Sequence, residues 1–238
     1  TGKAVAAPAT GNPPPPPAQD TLLLDFGNNF SPLPWNNVAD PVAGRIDDLL
    51  TSEGFSSGKS VFVYDAFNNI NTAGTLSPDP AIGFPGTATG DSFFGNTVLF
   101  GGQIQPTGGI EISNLTPGKP HTFVFFASRV GASDIREARY TLQGLSAETV
   151  YLDASNNLAG TATATLFPAN DGTVRIEAAP GPNNNNSSGF FYLGGMKVIY
   201  DEEQAGEPEL SLRSPNGGEF WQVDKTPSIL WDSKNVGS

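Results

Sequence analysis

Between Thr21 and Tyr200 the apolar residues recur with period two far more clearly than with period 3.6. Tyr140 and Leu142 alternate with Arg139, Thr141 and Gln143. Val174, Ile176 and Ala178 alternate with Thr173, Arg175 and Glu177, and Ile110 and Ile112 flank Glu111. Each pattern predicts a strand with one wet and one buried face. Leu22-Leu-Leu, Val61-Phe-Val-Tyr, Thr122-Phe-Val-Phe-Phe and Phe190-Phe-Tyr-Leu are apolar on both sides, as inner or groove-lining strands are. Turn signals bound the runs at Phe26-Gly-Asn-Asn, Thr116-Pro-Gly, Asn170-Asp-Gly and Pro180-Gly-Pro-Asn. The expectation is an all-β, two-sheet antiparallel β-sandwich of the jelly-roll kind. Arg45 to Leu50 fits one helical turn or a strand equally well.

The sandwich pattern stops short of both ends. Residues 1–20 are dominated by Ala, Pro, Thr and Gly around Pro13 to Pro17, a composition that reads as an extended linker. Residues 201–209 are acidic and lack aliphatic or aromatic side chains apart from one Ala, and read as a second, solvated linker. Residues 210–238 carry two strand-like pieces, too few to close a sandwich, and read as the truncated start of a further domain. The chain does not open with Met, as expected of a processed or excised piece. Two Gly/Asn/Ser/Pro-rich stretches remain, Asn68 to Gln105 and Asn183 to Ser188. The first exceeds a passive hairpin loop; it is either a binding loop or a surface loop whose phenylalanines tuck against the sheet.

Composition narrows the chemistry. Twelve basic residues against twenty-four acidic ones give a net charge of −12, which argues against a nucleic-acid backbone or an anionic membrane as partner. No apolar run reaches the ~18 residues of a membrane span. One His, His121, and no Cys remove zinc sites, thiol nucleophiles and disulfides. Carboxylates, hydroxyls, amides, arginines and aromatic faces are left. Asp25, Asp47, Asp48, Asp65 and Glu111 lie on or beside strands as candidates for a glycosidase acid pair, but a chain this acidic supplies such candidates by chance. No cofactor is required by this inventory. Structural calcium suits it, because calcium takes six to eight oxygens, but no EF-hand spacing selects the ligands among Asp47, Asp48, Asp79, Asp91 and Asp171.

Sugar binding uses this inventory best, since rings cover apolar C–H faces while amides and guanidiniums satisfy hydroxyls. The candidate ligand-binding residues are Trp35, Asn37, Phe93, Phe94, Arg129, Arg136 and Tyr151. Trp35 stands beside two amides, as a platform or as a core residue. Arg129, Arg136 and Arg139 fall within eleven residues, either as forked donors for hydroxyls or an anionic sugar, or as internal partners of Asp134 and Glu137. Tyr64 and Phe67 are lesser platforms.

At Leu22-Leu-Leu-Asp-Phe-Gly, Trp35-Asn-Asn, Phe125-Phe-Ala-Ser-Arg with Arg136 and Tyr140, and Pro180-Gly-Pro-Asn through Phe190-Phe-Tyr-Leu-Gly, the chain resembles a recurrent bacterial module. Such modules occur in large secreted proteins beside polysaccharide-degrading enzymes. The resemblance spans roughly residues 21–200 and implies an extracellular, jelly-roll, carbohydrate-binding type of module, monomeric within a larger chain. Of the candidates, Trp35, Asn37, Arg129 and Arg136 are its motif positions. The last thirty residues resemble the start of a cell-wall β-sandwich domain of the Kre9/Knh1 type. The implied function is a non-catalytic module that anchors a parent enzyme to a polysaccharide. The alternatives are a structural spacer or adhesion domain of a surface protein, and a small β-sandwich glycosidase or lyase.

Overall fold

The computed structural model describes residues 19–201, 209–214 and 228–234. Residues 19–201 form one compact unit. Its strands are β1 (Gln19–Phe26), β2 (Asn36–Val38), β3 (Arg45–Ile46), β4 (Ser60–Asp65), β5 (Asn69–Asn71), β6 (Ser92–Phe100), β7 (Gln103–Gln105) and β8 (Gly108–Ser113). They continue as β9 (His121–Phe126), β10 (Glu137–Gln143), β11 (Ala147–Asp153), β12 (Ala162–Leu166), β13 (Val174–Pro180), β14 (Phe191–Leu193) and β15 (Gly195–Asp201). Helical structure amounts to a 3-10 turn at Pro80–Ile82 and one α turn at Gly86–Thr89.

One sheet has the order β12-β9-β15-β1-β2 and the other β11-β10-β13-β8-β4-β3. Take β1, β8, β9, β10, β11, β12, β13 and β15 as the eight framework strands, ranked along the chain. The first sheet then reads sixth, third, eighth, first, and the second reads fifth, fourth, seventh, second. That interleaving is the jelly roll, two Greek keys folded face to face. The ladders are antiparallel apart from the short β1–β2 pair.

Period-two patterning does the sorting. Leu22, Leu24 and Phe26 of β1, Phe123 and Phe125 of β9, Tyr140 and Leu142 of β10, and Val174, Ile176 and Ala178 of β13 all point between the sheets and are buried. Tyr140 stacks on Phe125 at 4.4 Å, joining the two layers. Its hydroxyl donates to the Tyr192 carbonyl at 2.7 Å, so no polar group is stranded there.

The stretch Asn68 to Gln105 is an ordered insert. It leaves β4 and returns to β8, which are neighbours in one sheet. It supplies β5, both helical turns, β6 and β7, and builds a third small sheet of order β14-β6-β5. Part of the insert covers the outer face of the β1 sheet, where Phe84 and Ala88 pack with Trp35 and Phe126 into a second apolar cluster. This cover explains why Leu23 and Val124, which point away from the main core, are half-buried. Arg45 to Leu50 contains β3 and an isolated bridge at Leu50, with no helical turn.

In the second unit, β16 (Glu209–Ser214) and β17 (Leu230–Lys234) pair antiparallel. The Pro-rich segment up to Ala18, the acidic segment Glu202 to Pro208, and most of the expected further domain lie outside the described residues.

Candidate functional site

A surface pocket of about 370 Å³ opens where the insert meets the loop following β9 and the strand β14. Its walls come from three places. Asn68, Asn69, Ile70 and Asn71 line it from β5 and the residue before it. Phe94, Phe100 and Gly101 line it from the β6–β7 hairpin. Arg129, Arg136, Phe190 and Tyr192 complete it.

The hairpin is shaped by its sequence. The first half of β6 is buried and the second half, Asn96 apart, projects into solvent, turning at Gly101 and Gly102, whose φ angles of 62° and 89° suit glycine. Three amides fasten it at the base. Asn68 Nδ2 donates to Asn96 Oδ1 at 2.7 Å and to the Phe100 carbonyl at 3.0 Å, and Gln103 Nε2 donates to the Asn68 carbonyl at 3.1 Å. The aromatic wall follows: Phe100 meets Phe190 edge-on at 4.9 Å, and Phe94 contacts Phe190 at 5.6 Å. Phe100 is 49% exposed, with Val98, Leu99 and Ile104 exposed on the same hairpin.

Two guanidiniums complete the lining. Arg136 donates from Nε to Asp134 Oδ1 at 2.8 Å and from Nη1 to the Tyr192 hydroxyl at 2.6 Å, and lies 5.5 Å from the Phe190 ring centre. The Arg136 hydrogen bond, reinforced by one from Asn186, holds the Asp134 carboxyl below its ordinary range. Burial raises the Tyr192 hydroxyl, and Arg136 and Arg129 oppose that rise. Arg129 Nη1 donates to the Val130 carbonyl at 2.7 Å. Among the described residues Arg129 has no carboxylate partner, whereas Arg45, Arg136, Arg139 and Arg175 each have one. A positively charged group in a chain of net charge −12 thus faces the pocket without an acid to neutralise it.

The Asn run from Asn183 to Asn186 is scaffolding. Asn183 donates to Glu137, Asn184 to the carbonyls of Glu137 and Phe190, and Asn186 to Asp134, while Asn185 Oδ1 accepts from the Ile135 N–H. These bonds hold Phe190 and the Arg136–Asp134 pair in place.

The seven candidates divide. Phe94, Arg129 and Arg136 come together in the pocket. Trp35 and Phe93 do not; both are buried, Trp35 against Phe84 at 5.7 Å and Phe93 between Phe26 and Phe67. As interior residues they offer no ring face to a ligand. Asn37 is also taken, accepting from the Ser31 N–H at 2.8 Å and donating to the Ser31 carbonyl at 3.0 Å. Tyr151 is 48% exposed on β11 but is no part of the pocket wall. Of the lesser platforms, Phe67 is core, and Tyr64 is partly exposed beneath the Arg175 guanidinium. Sequence reasoning missed Phe100, Phe190 and Tyr192 as pocket residues. The Gly101-Gly102 turn directly after Phe100 was the available signal.

The acid-pair candidates are dispersed. Asp47 pairs with Arg45, Asp48 accepts from Ser56 and Gly58, Asp65 from Thr107, and Glu111 from Arg175 and Ser113. The pocket lining contains no carboxylate. His121 is buried at the start of β9, its Nδ1 3.0 Å from the Lys119 carbonyl.

No protein-family model matches the sequence, and no curated protein matches it. Two solved structures are similar in part. One is the ANXUR2 extracellular domain from Arabidopsis thaliana, at 12% identity and a TM-score of 0.42, covering 77% of this chain. The chain spans 42% of that domain's length. The other is CBM35 from Cellvibrio japonicus Abf62, at 12% identity and a TM-score of 0.29, covering 60% of this chain and 98% of that one. At these values neither likeness bears on function.

Proposed function

We propose that the unit formed by residues 19–201 is a non-catalytic carbohydrate-binding module, extracellular and part of a larger chain, that holds its parent protein on a polysaccharide. The observation that carries this reading is the pocket itself. It brings two guanidiniums, side-chain amides from β5 and an exposed aromatic edge to one opening of about 370 Å³, within the range of small-ligand sites. Sugars present apolar C–H faces and dense hydroxyls, and those are the complements of this wall. A lining without carboxylates favours holding a glycan over hydrolysing it, since glycoside hydrolysis needs two flanking acids. Affinity of such a site is modest, about micromolar to millimolar, because a few rings must offset ordering and desolvation. Attachment still raises the effective concentration of the parent protein at its substrate.

Native gels cast with xylan, glucomannan, pectin, alginate or agar test this. Retardation by at least one polysaccharide, abolished in Arg129→Gln, is the expected result. Unaltered mobility across the panel favours a spacer or adhesion domain, and release of reducing ends at enzymatic rates overturns the non-catalytic reading.

A further inference from the structure

The charges around the pocket do not balance. Arg129 and Arg136 both line it, and among the described residues the lining contains no carboxylate. The acids of the neighbouring segments are engaged elsewhere. Asp134 accepts from Arg136 Nε at 2.8 Å and from the Asn186 amide. Glu137 accepts from the Asn183 N–H at 3.0 Å and from its side-chain amide at 2.9 Å. Asp153 accepts from the N–H groups of Arg136 and Ser155 at 3.1 and 2.9 Å. Arg129 is left with the Val130 carbonyl at 2.7 Å and no acid. The two guanidiniums also converge. Burial raises the Tyr192 hydroxyl, and hydrogen bonding from both Arg136 and Arg129 opposes that rise, so both approach one oxygen. Having accepted from Arg136, that hydroxyl still has its own proton to donate. Like charges drawn to one point repel, and an anion between them removes the penalty.

The missing anion has a definite chemistry. A guanidinium edge meets a carboxylate through two parallel N–H···O bonds, a match that a neutral hydroxyl does not offer. The same opening holds Phe100, 49% exposed and edge-on to Phe190, as an apolar surface. A sugar whose terminal carbon is a carboxylate carries both complements on one ring, a C–H face and a planar negative group. On the carbohydrate-binding reading of the pocket, on which this inference rests, we propose that its ligand is an acidic glycan, with the carboxylate of a uronic-acid residue held by Arg129 and the C–H face of that ring against Phe100. The net charge of −12 repels a polyanion at long range, but at about 0.15 M salt the fields of exposed charges fade over about 8 Å. Selection therefore acts at contact and not through steering.

The test is calorimetric titration of the full chain with oligosaccharides of pectin, alginate and glucuronoxylan, each in its acid form and with its carboxyls reduced to alcohols. For at least one of the three, the acid form is expected to bind at least about tenfold tighter than the reduced form, the effect of one hydrogen bond to a charged group. Arg129→Gln should bring that ratio close to one, and Arg129→Lys should keep part of it. Should Arg129→Gln fail to fold, NMR of the wild-type chain decides, with the acid form expected to shift the Arg129 Nε–H resonance. Equal or tighter binding of the reduced forms overturns the acidic assignment and leaves carbohydrate binding standing. Failure of every acid, reduced and neutral glycan to bind removes both. A preference for the acid form undiminished in Arg129→Gln, or an Arg129 resonance that does not move, overturns the placement at Arg129. Tighter binding of a sulfated galactan oligosaccharide than of every uronate overturns the choice of carboxylate.

Discussion

Arg136 and Tyr192 are joined by a 2.6 Å hydrogen bond that links the segment ahead of β10 to strand β14. With Asp134 on the other edge of the guanidinium, the fork is fixed from two sides before any ligand arrives. Preorganised donors cost a ligand less to engage than mobile ones.

Removing the hydroxyl with Tyr192→Phe frees one edge of that fork. Retention in polysaccharide gels is expected to fall severalfold while the melting temperature falls only modestly, because the largely buried guanidinium keeps its bond to Asp134. Arg136→Lys should weaken retention further, as an ammonium cannot bridge two acceptors in a plane. Retention equal to wild type in both variants would remove Arg136 from the binding surface.

Trp35 offers a contrast. Its ring is part of the cluster with Phe84, Ala88 and Phe126, so Trp35→Ala should cost about 3–5 kcal/mol in urea unfolding. The folded fraction should still be retarded by the same polysaccharides as wild type. Trp35→Phe, which keeps most of the volume, should lose far less stability.

Gly95 of β6 has no room for a side chain. An added Cβ would collide with the Phe191 ring and come within 2.6 Å of the Gln105 carbonyl oxygen. Gly95→Ala is expected to destabilise by about 1–3 kcal/mol and to loosen the hairpin that carries Phe100. Denaturant melts measure the first effect, and amide exchange in β6 and β14 the second.

His121 sets an acid limit. Its Nδ1 faces the Lys119 carbonyl and so carries the ring proton, while Nε2 is buried without a partner. Burial lowers its pKa below 6.5, and the Lys59 ammonium, held 4.2 Å from the centre of the Tyr200 ring on which His121 stacks, lowers it further. As pH drops below about 6.5, the unfolded chain takes up a proton that the native ring resists, so stability falls over that window. His121→Phe should flatten this part of the pH–stability curve, read from urea midpoints between pH 5 and 7.5. An unchanged slope would show that other groups govern it.

The framework was legible because alternation is a local signal. Tyr140 and Leu142, or Val174, Ile176 and Ala178, declare a buried face within five residues of sequence. The insert was less so. Its covering role depends on Phe84 reaching Trp35 and Phe126 across the outer face of a sheet, a contact that no short-range pattern encodes. The same limit explains the site. Arg129 and Arg136 were visible as a cluster with Asp134 close by as an internal partner, but the Tyr192 hydroxyl that fixes the other edge of Arg136 lies fifty-six residues away. Asp134 takes Arg136 and leaves Arg129 to the pocket. Trp35 and Phe93 look like platforms by residue type, and packing, which composition does not record, puts them inside.

The β1–β15 ladder has a directional consequence. Gln19 faces Asp201 at one end of it, and Asp25 faces Gly195 at the other, about 20 Å away for six residues of strand. Gly195 also faces Phe126, three residues before Arg129, and follows Tyr192 by three. The polypeptide therefore enters and exits at one pole, and the pocket occupies the opposite pole. A glycan held in the pocket as proposed would therefore be met at the end of this unit away from Gln19 and Asp201.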